Sequence, residues 1–582
     1  MDSRKQRKIF LINMIIASFI ISFAFFVFEA TSVSIKDSGK GYDLWSEVYE
    51  KVLSNYVEET DAWKVAKYGA DGIIKKLDPY SSFFDPSDYR QLQEESKGEF
   101  AGLGIMIGTI DDFPTVMEPP FPGEPADNVG MRAADVIIEI EEESTYKMPI
   151  NEVVSKLRGE INTIVNIKVR RGKSDEPIKF TIKRDRIQIK NISYSGEIVD
   201  GIGYIKLNRF NAEAPDEMTE ALMNLTENDD VKGVILDLRY NPGGLLTVAR
   251  DIANEFLPKN SDIVLTRGRN ASEYKKMVAS DMPSLPTMPL VVLVNRGSAS
   301  ASEIVAGAIQ DHDRGVLVGE TTFGKGSVQT LYNLTGGTGL KLTTAHYYTP
   351  SGRCIHRKEN SDSKSVAFSR EEEELRGSNA SEEDSLETGA EFWTLNKERI
   401  VREGGGITPD IIVKEKTVGN IVRQLVSQSI FFDFAQVYAE ENPGLTEDFT
   451  ITKSLVREFR EYIGNDSNFE YSIPGKTYLD DFRSVIDLEK YDKDILGMID
   501  NIAQTLKDRR DTDFDTNIEV IKRILKREIA AIKFGYAAKT IASKDWDVQL
   551  QKAIEVLSNP DKYESVLAKG AKTGVEEEVV LK

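Results

Sequence analysis

Three serines lie within five residues of one another, in a setting where a hydroxyl group could attack a carbonyl. Ser298, Ser300 and Ser302 follow the apolar run Leu290–Val294, and a helical pattern begins directly after them. A side chain at such a turn is exposed at the end of a sheet, beside the amides of a helix N-terminus. Those amides are suitable donors for an oxyanion, so one of these serines could be a nucleophile. Helix capping explains at least one of the three without catalysis, and Ser302 followed by Glu303 is typical of a helix start.

A serine nucleophile needs a base, and few groups in this chain could serve. The chain has three histidines, and His312 follows the helix at the end opposite the serines. Lys325 is the remaining candidate, because it lies between two glycines in the turn Phe323–Gly326, with no carboxylate among its immediate neighbours. Burial lowers the proton affinity of a lysine, since it disfavours the charged form. A neutral amine could take the serine proton and later return it to a leaving amine.

The same lysine also fits the start of a phosphate-binding P-loop, with Gly319, Gly324 and Lys325 at the required spacing. The next residue should be Ser or Thr to bind magnesium, but it is Gly326. A P-loop also continues into a helix, whereas residues 328–332 have the pattern of a strand. The sequence therefore disfavours nucleotide binding.

A second glycine-rich turn, Asn241–Gly244, follows another apolar run. Taken alone it predicts only a turn and a helix start. Sites in open α/β sheets form at strand ends, which is where both turns fall. An amide of Gly243 or Gly244 could therefore be the second oxyanion donor, with the Ala301 amide as the first.

The elements that must position these turns alternate between strand and helix from about residue 195 to 355. Val234–Leu238 and Leu290–Val294 are continuous apolar runs, typical of strands buried on both faces of a sheet. Helices are predicted at Leu245–Leu257 and from Ser302 to Asp311. We therefore expect an α/β core in which each of the two turns leads from a strand into a helix.

Other regions of the chain have a different character. The pattern is helical at about 40–95 and again from Val418 onward, whereas 98–190 predicts a small β-sandwich with one helix. The strands and helix predicted there are Ile105–Ile110, Val136–Ile140, Ile164–Arg170, Ile178–Lys183 and the helix Ile150–Leu157. Residues 357–390 are polar and predict a solvated insertion. We expect the C-terminal helices either to pack against one another or to mediate self-association. In the second case the protein would be a homo-oligomer.

An apolar run from Ile9 to Phe28 follows a cluster of four basic residues at the N-terminus. Twenty helical residues span about 30 Å, the thickness of a bilayer core. Positive charge before the run keeps that end in the cytoplasm and places the rest of the chain outside. We favour an uncleaved inner-membrane anchor over a cleaved signal peptide, because residues 29–32 form a poor cleavage site.

Composition excludes several classes of function. The chain has 582 residues and a net charge of −21, so electrostatic attraction to a nucleic-acid backbone is not expected. Its single cysteine, Cys354, excludes an internal disulfide and a cysteine-rich zinc site. No metal or organic cofactor is required by the chemistry described above.

The two blocks that contain Ser300 and Lys325 resemble those of a known enzyme family. The run GSASASEIVAGAIQDHDR, followed by GETTFGKGSVQ, is similar to the C-terminal processing peptidases, or tail-specific proteases, which are Ser–Lys endopeptidases. The resemblance implies that Ser300 is the nucleophile, Lys325 the base and Gln329 the residue that orients the lysine. DLRYNPGGLL resembles the family's oxyanion turn, and LDPYSSFF its N-terminal helical motif.

The resemblance also implies that the β-rich region is a PDZ domain. Leu103, Gly104 and Ile105 are then placed like the loop whose amides bind the terminal carboxylate of a peptide, which joins the domain as an extra strand. The sequence has Ala134 where many family members have glycine, and a proline-rich stretch at Glu118–Pro125.

These patterns together predict a multidomain α/β protease core with an inserted PDZ domain, an N-terminal helical segment and an all-α C-terminal domain. The expected boundaries are 1–30 for the anchor, 40–97 for the N-terminal part of the core, 98–190 for the PDZ domain, 191–415 for the core and 416–582 for the helical domain. The expected function is a cell-envelope serine endopeptidase whose substrates are proteins with apolar or unstructured C-termini. The alternative is a catalytically silent scaffold that binds protein tails.

Overall fold

The computed structural model describes residues 39–577, with gaps. The gaps are 173–175, 228–229, 270–273, 358–388, 416–417, 466–468, 474 and 489–492. The predicted anchor, and nearly all of the insertion predicted at 357–390, lie outside the described residues. Over the part that is described, we find no helix with the length and apolar character needed to span a bilayer. The chain divides into two compact units, of which the smaller contains the residues up to Asp85 and Leu331–Leu342.

The smaller unit is mainly helical. Helix α1 covers residues 39–55, and α2 (Ala62–Ile74) begins at Asp61, whose carboxylate caps the helix by accepting a hydrogen bond from the Lys64 amide. The short strand β1 (Ser82–Phe84) pairs antiparallel with residues 339–341. The helical pattern predicted before residue 97 is confirmed by these helices and by α3 (Pro86–Lys97), which belongs to the larger unit.

The β-rich region of the larger unit forms one sheet in the order β3–β4–β5–β7–β8, with β6 beside β5, and a separate antiparallel pair of β2 and β9. The strands are β2 (Glu99–Gly102), β3 (Ile107–Ile110), β4 (Phe113–Val116), β5 (Val136–Ile140), β6 (Glu143–Ser144), β7 (Ile164–Arg170), β8 (Ile178–Lys183) and β9 (Asp185–Gln188). Helices α4 (Pro125–Asn128) and α5 (Ile150–Leu157) accompany them. Val153 and Leu157 of α5 are buried in the apolar core of this module. The strands predicted at β5, β7 and β8 and the helix α5 are confirmed.

The remaining strands belong mostly to the core. They are β10 (Ile192–Val199), β11 (Ile202–Leu207), β12 (Gly233–Asp237), β13 (Asp262–Gly268), β14 (Lys275–Val278), β15 (Leu290–Val294), β16 (Val316–Gly319), β17 (Ser327–Asn333), β18 (Gly339–Tyr348), β19 (Glu391–Trp393), β20 (Ile400–Arg402), β21 (Ile411–Ile412) and β22 (Val575–Glu576). In the described chain the main sheet runs β10–β11–β12–β15–β16–β21–β22, parallel from β11 to β22.

Both faces of this sheet are covered, which explains why its strands are continuous apolar runs. On one face, Leu236 and Val292 pack with helices α6 (Ala214–Thr226), α7 (Leu246–Asn254) and α8 (Ala301–Asp311). Side chains of alternating strand positions point to the other face, where they form a second apolar cluster. The predicted strand–turn–helix units at both glycine- and serine-containing turns are therefore confirmed.

The C-terminal helices divide into two groups. They are α9 (Asn420–Ser427), α10 (Ile430–Glu441), α11 (Lys453–Asn465), α12 (Lys476–Leu488), α13 (Lys493–Thr516), α14 (Ile518–Phe534), α15 (Tyr536–Ser543), α16 (Val548–Ser558) and α17 (Pro560–Val566). Residues of α9–α11 and α14 form an apolar core of their own. Leu550 and Val556 of α16 pack instead on the second face of the main sheet, and β22 pairs with β21. The helical pattern predicts one helical domain at 416–582, whereas the chain from α16 onward packs on the main sheet and pairs with it.

Candidate active site

Ser300 lies where β15 turns into α8, as the N-cap residue of that helix. Its backbone has φ 55° and ψ −112°, a conformation that residues with a side chain rarely adopt. Strain of this kind costs about 1–3 kcal/mol and persists where the surroundings determine it, often at functional sites. The turn therefore presents the Ser300 side chain at the carboxyl end of the sheet.

The three serines differ in what their hydroxyl groups contact. The Ser298 hydroxyl is buried, donates to the Leu238 carbonyl at 2.8 Å and accepts from the Asn295 amide at 3.0 Å. The Ser302 hydroxyl is buried and donates to the Asn241 carbonyl at 2.8 Å. Ser300 is half-buried. Two of the three serines thus stabilise the turns, and Ser300 is the one that a substrate could reach.

The carboxylate of Glu303 joins the serine turn to the lysine turn. Its Oε2 accepts hydrogen bonds from the amides of Ser300 at 2.8 Å and Lys325 at 2.9 Å. Its Oε1 accepts from the Thr322 hydroxyl at 2.6 Å and the Gly324 amide at 2.7 Å. Burial raises the pKa of Glu303, although these four donors act in the opposite direction. The sequence pattern indicates only a helix start at Glu303. The signal for its contact with the Ser300 amide is the spacing of a capping box, Ser-x-x-Glu.

Tyr347 is a second contact between the two turns, and sequence reasoning did not identify it. Its hydroxyl donates to the carbonyl of Ser300 at 3.1 Å and also to the carbonyl of Lys325. Lys325 is half-buried, and the glycines on both sides of it are buried. A Cβ atom on Gly326 would lie 2.8 Å from the backbone nitrogen of His356. The lysine turn can therefore approach the chain at His356 this closely only with glycine at position 326.

Gln329 lies in β17, four residues after Lys325. Its side-chain amide donates to the hydroxyls of Ser327 at 2.9 Å and Thr343 at 3.3 Å. Ser327 and Gln329 share one face of the strand because side chains alternate along it. Two hydroxyl partners therefore determine the orientation of the Gln329 amide. His312, at the far end of α8, contacts the Asp262 carbonyl through Nε2 at 2.7 Å. It lies about 18 Å along the helix from Ser300.

The glycine-rich turn after β12 packs directly against Ser300. Gly243 has φ 96°, and a Cβ atom there would lie 2.9 Å from the Ser300 Cβ and 2.7 Å from the Ala301 nitrogen. The Gly243 amide donates to the Asn241 side chain at 2.9 Å. Within the described part of the chain, the amides of Ala301 and Gly244 have no hydrogen-bond acceptor. Gly243 and Ala301 thus lie beside Ser300, and the amides of Ala301 and of Gly244, the residue after Gly243, have no acceptor among the described residues.

A buried cluster of charges lies between β12 and the glycine-rich turn. The Asp237 carboxylate accepts from Lys206 at 3.0 Å, from the Tyr204 hydroxyl at 2.6 Å and from Arg239 at 2.6 Å. Burial alone would raise the pKa of Asp237, but the cations of Arg239 and Lys206 hold it well below its usual range. The second carboxylate on Arg239 is that of Asp547, at the start of α16. We call these five residues the Arg239 cluster.

In the β-rich module, Leu103, Gly104 and Ile105 connect β2 to β3. Gly104 has φ 76°, and in the described chain the amides of all three residues lack an acceptor. The strand that follows, β3, lies at an edge of its sheet. An open strand edge beside a loop of free amides can accept an extended peptide and its terminal carboxylate.

Comparisons with known proteins give a consistent result. Residues 201–362 match the model of peptidase family S41, residues 121–171 that of the PDZ domain, and residues 421–557 that of a C-terminal helical domain of probable PDZ-proteases. A carboxy-terminal-processing protease of Bartonella bacilliformis is 38% identical over 53% of this chain and 71% of its own length. The carboxy-terminal processing protease CtpA of Bacillus subtilis is 34% identical over 61% of this chain and 76% of its own. A solved photosystem II D1 C-terminal processing protease is 29% identical, over 54% of this chain and 84% of its own, with a TM-score of 0.34.

Proposed function

This chain belongs to the carboxy-terminal processing proteases, serine-type peptidases of family S41 with a PDZ domain, and we propose that it is an endopeptidase of the cell envelope with a Ser–Lys mechanism. It cleaves peptide bonds of proteins whose C-termini it recognises. One observation carries the mechanism: a single oxygen of Glu303 accepts hydrogen bonds from the amides of both Ser300 and Lys325. The nucleophile and the base thus lie on two adjacent turns with a common anchor.

In the first half-reaction, Ser300 Oγ attacks the carbonyl carbon of the scissile bond while Lys325 Nζ takes the hydroxyl proton. When the tetrahedral intermediate breaks down, the C–N bond cleaves and Lys325 gives that proton to the leaving amine. The remaining acyl group is an ester of Ser300. A water molecule then attacks the ester, Lys325 takes its proton, and the same proton returns to Ser300. Gln329 orients Lys325 throughout.

The amides of Ala301 and Gly244 stabilise the oxyanion of each intermediate. Ala301 follows Ser300 in the chain, and Gly244 follows Gly243, which packs against Ser300. Both amides lack an acceptor in the described chain, so they bind the oxyanion without breaking a hydrogen bond. Each such donor contributes roughly 3 kcal/mol to transition-state stabilisation. Gly243 allows the close approach of the two turns, since no Cβ atom fits between them.

The PDZ domain binds the substrate's C-terminus. The amides of Leu103, Gly104 and Ile105 bind the terminal carboxylate, and the tail adds a strand beside β3. Substrates are proteins with apolar or unstructured tails, because an extended tail must reach this edge without unfolding a stable domain. The enzyme is inner-membrane anchored or exported through its N-terminal segment, and its catalytic part lies outside the cytoplasm.

The test is cleavage of an unstructured protein with an apolar tail by purified enzyme. We expect wild type to cleave it, and Ser300→Ala and Lys325→Met to reduce the rate at least 1,000-fold, within the range known for loss of a catalytic nucleophile or base. Ser280→Ala is the matched control, since that hydroxyl donates to the carboxylate of Asp281 at an exposed position. Equal cleavage by wild type and Ser300→Ala would refute the mechanism. Tail binding without turnover by wild type would favour a scaffold.

A further inference from the structure

Arg239 lies between two carboxylates that come from distant parts of the chain. Its guanidinium donates two hydrogen bonds to Asp547, both at 2.7 Å, and one of 2.6 Å to Asp237 Oδ2. The Gln549 side chain accepts from it as well, at 3.1 Å. Arg239 is 6% exposed, so these contacts are largely shielded from water. A buried guanidinium with two bidentate partners has one favoured orientation.

The backbone of Arg239 leads directly into the oxyanion turn. Its carbonyl accepts from Lys206 Nζ at 2.6 Å, and the next residue, Tyr240, has φ 58°. A left-handed residue with a side chain persists only where its neighbours determine the backbone. Gly243 and Gly244 follow within five residues of Arg239. The position of Arg239 therefore influences where the turn places its amides.

The charges of the Arg239 cluster balance only when α16 is present. Asp237 and Asp547 are the two anions, and Arg239 and Lys206 the two cations. Without the carboxylate of Asp547 a buried positive charge is left uncompensated, which a protein avoids by moving or hydrating the charged group. Either response displaces the backbone of Arg239 from the position that the turn requires.

We propose that Asp547 is a positioning residue of the active site, which acts through Arg239 on the oxyanion turn. A helix more than 300 residues further along the chain thereby becomes a requirement for catalysis. The inference rests on the proposed peptidase function. Asp547 does not contact the substrate in this proposal. Loss of its carboxylate should therefore weaken transition-state stabilisation and leave substrate binding nearly unchanged.

The experiment compares the full-length enzyme with D547N and D547E by steady-state kinetics on one protein substrate. We expect D547N to lower kcat by about 10- to 100-fold, less than the 10²–10³ found for loss of an oxyanion donor, with KM within about 3-fold. D547E keeps the negative charge, so its kcat should lie between those of D547N and wild type or equal that of wild type. Phosphonylation of Ser300 by a fluorophosphonate, which releases fluoride and uses the same oxyanion donors, should slow in parallel. Glu577→Gln is the control, because it removes a carboxylate of the same C-terminal segment that contacts Lys552 and Lys562 instead.

Wild-type kcat in folded D547N would overturn the inference, as would equal losses in D547N and Glu577→Gln. If D547N is unfolded at the assay temperature, Gln549→Met replaces it, since it removes another acceptor of Arg239 without unbalancing charge. A lower kcat at unchanged KM in that variant supports the proposal, and unchanged kcat contradicts it. Ser300→Ala is measured in parallel. Inactive wild type, or active Ser300→Ala, would refute the proposed function itself.

Discussion

At the scale of single residues, Glu303 organises the site. The buried carboxylate of Glu303 has four hydrogen-bond donors, which replace the water that it loses on folding. Three of them are backbone amides of the turns that contain Ser300 and Lys325. These contacts with Glu303 are made by the backbone amides of Ser300 and Lys325, not by Ser300 Oγ or Lys325 Nζ. Glu303 therefore determines where the backbones of Ser300 and Lys325 lie.

Glu303→Gln should lower both stability and activity. The amide of glutamine replaces one oxygen by a donor, which then faces two donors and leaves them unsatisfied. Each buried group without a partner costs about 1–3 kcal/mol. We expect a lower melting temperature and a kcat reduced at least 10-fold, measured by thermal unfolding and single-turnover cleavage. Glu320→Gln serves as the comparison, because Glu320 contacts Arg296 near the surface; an equal effect of both variants would contradict this role.

At the scale of elements, Gly104 is the residue through which β2 leads into β3. Its φ of 76° and the 2.5 Å separation between an added Cβ atom and the Glu124 Cβ both exclude a side chain. Any substitution must move the loop that carries the three amides without an acceptor. Tail recognition should therefore depend on this glycine more than on the apolar core of the module.

Gly104→Ala should weaken binding of a C-terminal peptide at least 10-fold, measured by isothermal titration calorimetry with the full chain. Cleavage of a short peptide that does not use the loop should change by less than 3-fold. Gly123→Ala is the matched control, since Gly123 has φ 81° but nothing within 4 Å of an added Cβ atom. Equal loss of affinity in both variants would show that backbone strain alone, and not the position of the loop, is responsible.

Sequence patterns predicted most of these elements but not their long-range contacts. The bounds predicted for β15, β5 and β7 agree with the observed ones, because apolar runs that end at turn residues are a local property of the sequence. Ser300 could be separated from its neighbours only through the family resemblance, since capping and catalysis favour the same residue type. The contact of Arg239 with Asp547 left no sequence signal, because it depends on which surface the amphipathic helix α16 covers.

At the scale of the whole molecule, the Arg239 cluster links the sheet to the C-terminal segment. Burial alone would raise the pKa of Asp547, but the charge of Arg239 outweighs it and holds that pKa below its usual value, as for Asp237. An acid with a lowered pKa binds fewer protons in the folded state than in the unfolded state. The stability that it contributes is present above the unfolded-state value and is lost as the pH falls through the folded-state value.

Acid should therefore destabilise the protein below about pH 4, the usual pKa of an aspartate. The free energy of unfolding, measured by denaturant titration between pH 6 and pH 2.5 on the full chain, should be flat at first and then decrease. The decrease should be smaller in D547N, which has one linked proton fewer. Asp500→Asn, which alters an exposed pair with Arg483, should leave the slope unchanged. A D547N curve parallel to wild type would contradict this linkage.

The last strand and one of the last helices of the described chain, β22 and α16, pack on the main sheet. The core is therefore completed late in translation. The ribosome completes Ser300 and Lys325 first, and Asp547 follows 222 residues after Lys325, or roughly 11–44 s later at ~5–20 residues per second. Until that segment emerges, one face of the sheet lacks its helical cover and Arg239 lacks its second counter-ion. A nascent chain should thus be less active than the finished protein against the proteins of the compartment in which it is made.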